Sequence, residues 1–272
     1  MKIRNDFVTN SSSSSFIISF NMTLADGFSL CMEAEQWSGD DDSFEYLLRA
    51  ESADGDSEEL AEVQAYGYEE MDNVGKLNVL DLVKIADAPK VDTMISAITK
   101  SLCYEDDFAE DALDYTVDPD CIDPEELDDV YDDFDEDISE IFPAGEIRAF
   151  LEEHLTKKKD LKSIDMEIEL GGFGEGTPNA EEIISYLFGN SAGADVENAL
   201  ETCLEEELED EEALETLREM KLFKRFTDDS LLALLHLMAE EYLGAVRVKI
   251  HLNTTGKISM DISEMDISEF ED

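Results

Sequence analysis

Between Lys100 and Arg148 the chain has no basic residue, while Asp and Glu recur almost continuously. The window is the extreme of a general bias: 71 acidic side chains stand against 19 Lys plus Arg, a formal charge of -52 on 272 residues. Burying unpaired carboxylates is costly, so any fold must turn this charge outward into water. A hydrophobic fraction of 43% with 8% aromatics supplies a core that a disordered acidic chain lacks. The carboxylates therefore coat a folded body. They repel nucleic acid and anionic membranes, and attract cations and basic protein surfaces over about 8–10 Å at physiological salt. Stability should rise as salt screens the self-repulsion.

The length allows one large domain or two small ones. Cys31, Cys103, Cys121 and Cys203 are widely spaced, with no C-x-x-C pair. No run reaches the roughly 18 apolar residues of a membrane span, and Lys2 and Arg4 precede a serine run rather than the apolar core of a secretory segment. The expectation is a cytoplasmic protein with free thiols, on which the sequons at Asn10, Asn21 and Asn253 are incidental.

Alternation of Phe16, Ile18 and Phe20 predicts a first strand, and Phe28, Leu30, Met32 and Ala34 predict a second after a turn at residues 25–27. Residues 38–42 read as a loop and 44–50 as a short helix. Helix and strand templates fit 58–66 and 79–86 equally. Helical spacing returns in 91–102. Asp123 can cap a helix whose first position is Pro124. Leu127, Val130, Tyr131, Phe134, Ile138 and Ile141 form its apolar stripe, and Pro143 and Gly145 stop it. Its opposite face holds Asp128, Asp129, Asp132, Asp133, Asp135, Glu136 and Asp137 with no basic relief.

Beyond it, 147–155 reads as a short helix, followed by the one basic cluster, Lys157, Lys158 and Lys159. Ile164, Met166, Ile168 and Leu170 alternate as a strand before a glycine loop over 171–176. Helices follow at 180–188, through Val196, Leu200, Cys203, Leu204 and Leu208 with Leu214 and Leu217 either continuing it past Asp210 or forming a separate segment, and at 230–243. A hairpin of 246–250 and 258–262, turning at 253–256, ends the series. The predicted fold class is α+β. It comprises a leader over 1–15, an N-terminal hairpin-containing region over 16–122, the acidic connecting helix over 123–143, and a C-terminal region over 144–272 with helices packed on a small antiparallel sheet.

The opening Lys2-x-Arg4-x-Asp6-Phe7-Val8-Thr9-Asn10, with serines 11–15 and Phe16, resembles the opening shared by many uncharacterised bacterial and phage proteins whose bodies differ widely. The resemblance covers about the first sixteen residues and transfers no catalytic residue. It implies a recognised element: a peptide tag read by a processing or docking partner, or a tight serine loop before the first strand.

Chemistry-bearing motifs are few. The glycine loop, with Gly172, Gly174 and Gly176, lies between strand and helix, where backbone N–H groups can cradle an anion. It meets neither the dinucleotide nor the P-loop spacing, and Glu175 would oppose a phosphate. An EF-hand frame from Asp129 puts Tyr131 at a ligand position and Phe134 where the turn needs Gly, so it fails. His154, His236 and His251 show no paired-ligand spacing; His236 reads as a core or edge residue and His251 as a surface one. No metal or cofactor is expected. The acidic helix offers, over roughly 28 Å, a line of anions comparable to DNA phosphates. The leading expectation is a non-enzymatic protein docking a basic protein partner through this face. Its sharpest form is a DNA mimic for a nucleic-acid-binding protein. The alternatives are a small enzyme or binding domain holding an anionic ligand in the glycine loop, and a carrier of the N-terminal peptide.

Overall fold

Alternation is the pattern that builds the molecule. The computed structural model describes residues 14–38, 43–66, 77–102, 144–172, 179–239 and 245–265. Strand β1 (Ser14–Leu24) buries Ile18, Phe20, Met22 and Leu24 and turns Asn21 to solvent. It enters the sheet at Ser14, so the last serines of the opening segment already belong to a strand. A turn at Gly27 (φ 94°) returns the chain as β2 (Ser29–Ser38). A Cβ on Gly27 would stand 2.9 Å from the Ala53 Cβ, so that turn needs glycine for space as well as for its dihedral.

Residues 44–50, expected as a helix, form strand β3 (Ser43–Glu51). Tyr46, Leu48 and Ala50 share one buried face. Pairing with β2 on one side and β4 (Ser57–Tyr66) on the other satisfies the backbone on both edges, which outweighs a local helical option. The two ambiguous stretches divide: 58–66 lies in β4, and 79–86 lies in helix α1 (Val79–Asp87). An Asn78 capping box starts α1. Asn78 Oδ1 accepts the Leu80 N–H at 2.9 Å, and Asp81 Oδ2 accepts the Asn78 N–H at 3.2 Å.

Helix α2 (Val91–Leu102) follows, then α3 (Ala144–His154) and β5 (Leu161–Gly172). The helical layer continues with α4 (Ala180–Phe188), α5 (Asn190–Glu205), α6 (Asp210–Leu217) and α7 (Asp228–Ala239). A hairpin of β6 (Ala245–Asn253) and β7 (Ile258–Met265) closes the described chain, its turn held by Asn253 Oδ1 accepting the N–H groups of Thr255 and Lys257.

The fold is α+β. All seven described strands pair antiparallel in the order β4-β3-β2-β1-β5-β6-β7. The C-terminal strands are thus continuous with the N-terminal hairpin: β1 pairs with β5 from Ser14↔Gly172 to Leu24↔Leu161. One sheet face carries the buried alternate residues of β1, β2, β3, β5, β6 and β7. These join the apolar sides of the helices in a single core that includes Leu82, Ile98, Leu151, Ile183, Leu200, Leu217 and Leu234. Phe188, Phe223 and Phe226 meet within it at ring-centroid distances of 5.7 to 6.3 Å. Tyr46 ties sheet to helix, its buried hydroxyl donating to the Leu102 carbonyl at 2.7 Å at the end of α2.

No helix among the described residues is long and apolar enough to cross a membrane.

Candidate partner-binding surface

The acidic helix singled out in the sequence, with Asp128, Asp129, Asp132, Asp133, Asp135, Glu136 and Asp137, lies outside the described residues, as do Gly174 and Gly176. Gly171 and Gly172, expected at the start of a loop, are instead the last residues of β5 and pair with Ser15 and Ser14. Extending the β1–β5 ladder keeps their backbone groups bonded and takes them out of any phosphate cradle.

A second basic-free stretch lies largely within the described residues. From Ser163 to Leu217 there is no Lys or Arg. Its carboxylates divide between two surfaces, according to which element carries them.

On the sheet, they fall on the face opposite the core. Asp165, Glu167 and Glu169 alternate with the buried Ile164, Met166, Ile168 and Leu170 along β5. Register places them opposite His251, Lys249 and Arg247 of β6. Arg247 reaches Glu169 at 2.7 Å and Glu167 at 3.0 Å, Lys249 reaches Glu167 at 3.7 Å, and His251 Nδ1 lies 2.7 Å from Asp165. These cross-strand pairs hold the register and cancel much of the local charge. His251 is half-buried at this ladder. His236, expected at the core or its edge, is exposed on α7, because the buried stripe of that helix runs through Ser230, Leu231, Leu234, Leu235 and Leu237.

On α5, α6 and the link between them no ion pair is formed among the described residues. Asp195, Glu201, Glu205, Glu206, Glu207, Glu209, Asp210, Glu211, Glu212 and Glu215 are all exposed on α5, α6 and the link between them, with Glu197 half-buried. The apolar residues of the same segments, Val196, Leu200, Cys203, Ala213 and Leu217, face the core. Three consecutive glutamates, 205–207, turn the corner. Glu207 takes φ 50°, a left-handed value rare for anything but glycine or asparagine. The cap closes with its N–H donating to the Leu204 carbonyl and the Leu208 N–H donating to the Cys203 carbonyl, both at 3.1 Å. Leu204, 38% exposed, sits within this carboxylate run.

Close packing of α4 on α5 concentrates charge further. A Cβ on Gly193 would stand 3.1 Å from the Ser185 Cα, so the two helices approach backbone to backbone. The crossing brings ligand-type oxygens of Glu181, Glu197 and Glu201 within 4.8 Å of one another. Desolvation, and then the charges of Glu181 and Glu201, push the Glu197 carboxyl above its ordinary range.

The described thiols are biased toward the protonated form. Burial, reinforced by the Glu51 charge, pushes Cys31 up to about 11, and burial with Glu206 raises Cys203. His154 is a structural residue: its ring lies 4.1 Å from that of Phe28 and 4.6 Å from that of Phe150, and Nδ1 is 2.8 Å from Asp26 Oδ2.

The helical carboxylates at 195–215 were legible by the count that picked out residues 101–147, since both are gaps in the placement of Lys and Arg. The Glu181–Glu197–Glu201 cluster was not, because only the helix crossing makes it.

The fold and surface define an α+β protein with a one-sided antiparallel sheet and a helical layer coated with carboxylates. No protein-family model, curated protein or solved structure matches the chain.

Proposed function

We propose that the chain is a non-enzymatic interaction protein that docks a basic protein surface through its carboxylates, in the sharpest form as a DNA mimic. The carrying observation is the run from Asp195 to Glu215, exposed on α5 and α6 and without a Lys or Arg between Lys162 and Arg218. Helix α5 carries its four carboxylates, Asp195, Glu197, Glu201 and Glu205, over ten rises of 1.5 Å, roughly 15 Å. One strand of duplex DNA carries a charge per about 3.4 Å of axis; the helix alone is sparser than that, and the carboxylates of Glu206 to Glu215 on the link and α6 add to its line. A basic groove that accepts phosphates gains favourable long-range attraction from such a surface. The sequence-derived face at Asp128, Asp129, Asp132 and Asp133 belongs to the same reading as a second source of carboxylates. No observation favours the glycine-loop enzyme over it.

The test is capture of the partner from the source lysate at low and at high salt, followed by displacement with duplex DNA. Changing Glu205, Glu206, Glu211 and Glu212 together to Gln should weaken capture at least about tenfold, because several charge pairs are lost at once. Undiminished capture by that variant, and by one reversed at Asp128, Asp129, Asp132 and Asp133, would sink the proposal. Displacement by DNA separates mimicry from general attraction to basic proteins.

A further inference from the structure

The two edges of the sheet are built differently. At the β7 edge the chain caps the first residues of the ladder itself. Phe226 bridges Ile258 in parallel, the Thr227 N–H donates to the Ile258 carbonyl at 3.0 Å, and the buried Ser230 hydroxyl accepts the Met260 N–H at 2.7 Å. At the other end of the strand order stands β4, and no described residue pairs with its outer edge. Alternate residues along such an edge offer N–H and C=O groups outward, a template for one more strand. The register shift opposite Leu48 and Arg49 interrupts the N-terminal half of β4, whereas residues 61–66 pair regularly with 43–48. That regular half is the part fit to accept a strand.

Charge narrows the occupant. No Lys or Arg lies between Arg49 and Lys76, and β4 carries Glu58, Glu59 and Glu62. A second copy adding through the same edge would set these glutamates against their counterparts, on chains each of formal charge -52, and like charges across strands are destabilising. A strand bearing Lys or Arg meets complementary charge instead. We infer that the outer edge of β4 is a strand-addition site for an extended, basic peptide segment of a partner protein. This deepens the docking reading and rests on it: the backbone of β4 supplies the directed hydrogen bonds, and the carboxylates supply the attraction.

The test uses the full chain and a short synthetic peptide of alternating lysine and valine, beside the same peptide N-methylated at alternate residues. N-methylation keeps charge and shape but removes donors from one strand edge. The unmodified peptide should bind, slow amide hydrogen exchange within Ser57–Tyr66, and outbind the N-methylated form by about tenfold or more, as expected for two or more lost hydrogen bonds. Glu62→Gln, within the regular half, should weaken it by about two- to fivefold. Equal affinity for the two peptides would overturn strand addition while leaving charge-driven docking in place. So would absence of peptide binding, with docking then judged by the α5–α6 variant above. Exchange in Ser57–Tyr66 as slow as in β1 before peptide is added would overturn it too, showing an edge already taken by the chain itself or, where the protection depends on protein concentration, by a second copy.

Discussion

The Ser230 hydroxyl accepts the backbone N–H of Met260 at 2.7 Å, with both residues buried, and so joins the first turn of α7 to the last strand of the sheet. One side-chain oxygen here does the work of a missing neighbouring strand. Ser230→Ala leaves the Met260 N–H without this acceptor and also removes the 2.6 Å contact with the Thr227 hydroxyl. The expected loss is about 1–3 kcal/mol, measured by urea unfolding. A change within error would show that the edge is held by other means.

Asp26 links the β1–β2 turn to the end of α3 through His154. Burial alone would raise its carboxyl, but the bonds from His154 and the Phe28 N–H, with the imidazole charge, outweigh that and lower it below the ordinary 3.8. A lowered folded value means that the stability Asp26 adds is complete above 3.8 and is lost as pH falls through the lower value. Asp26→Asn should therefore flatten the acid limb of the stability–pH curve below that point. Thermal melts across the acid range check this; an unchanged limb would show that the pair contributes nothing.

Glu197 has the opposite sign. Desolvation and the neighbouring Glu181 and Glu201 raise its carboxyl above the ordinary 4.5, so ionisation subtracts stability as pH rises from 4.5 through the raised value, and the whole cost is present above it. Glu197→Gln is expected to raise the Tm at neutral pH in low salt. The gain should shrink in high salt and vanish in acid. Calorimetry under these three conditions decides; a gain that ignores salt would point to packing instead of charge.

Glu207 occupies a left-handed position where glycine carries no Cβ penalty. Glu207→Gly should stabilise the chain by about 1 kcal/mol, since the relief of conformational strain exceeds the added freedom of the unfolded chain. Equilibrium unfolding tests the sign. The same variant removes one charge from the corner between α5 and α6, so capture of a basic partner should weaken as stability rises. If both moved in the same direction, the strain and charge accounts could not both hold.

Much of the local architecture was legible because periodicity reports burial directly. Ile18, Phe20 and Met22 at period two, and Ile183, Ile184 and Leu187 at helical spacing, show which side faces the core in β1 and α4. Asn179 and Glu182 cap α4 reciprocally, at 2.8 and 2.9 Å, a pattern written in sequence three residues apart. Residues 44–50 misled because Phe44, Tyr46, Leu47 and Leu48 satisfy helical and extended templates over so short a run. What resolved them was pairing with β2 and β4.

By itself, then, the sequence determined the α+β class, an apolar core and an acidic exterior, since charge and periodicity are local properties of the chain. The tertiary structure alone decided that β1 pairs with β5 across more than a hundred intervening residues, uniting both ends in one sheet. It also decided that Glu181, Glu197 and Glu201 converge, that the start of β7 is capped by the segment entering α7, and that β4 is the outermost of the described strands. The physical reason is common to all four. Each depends on which distant surfaces meet, and that is set by the shared core and by the backbone groups left to be paired, neither of which any local window of residues contains.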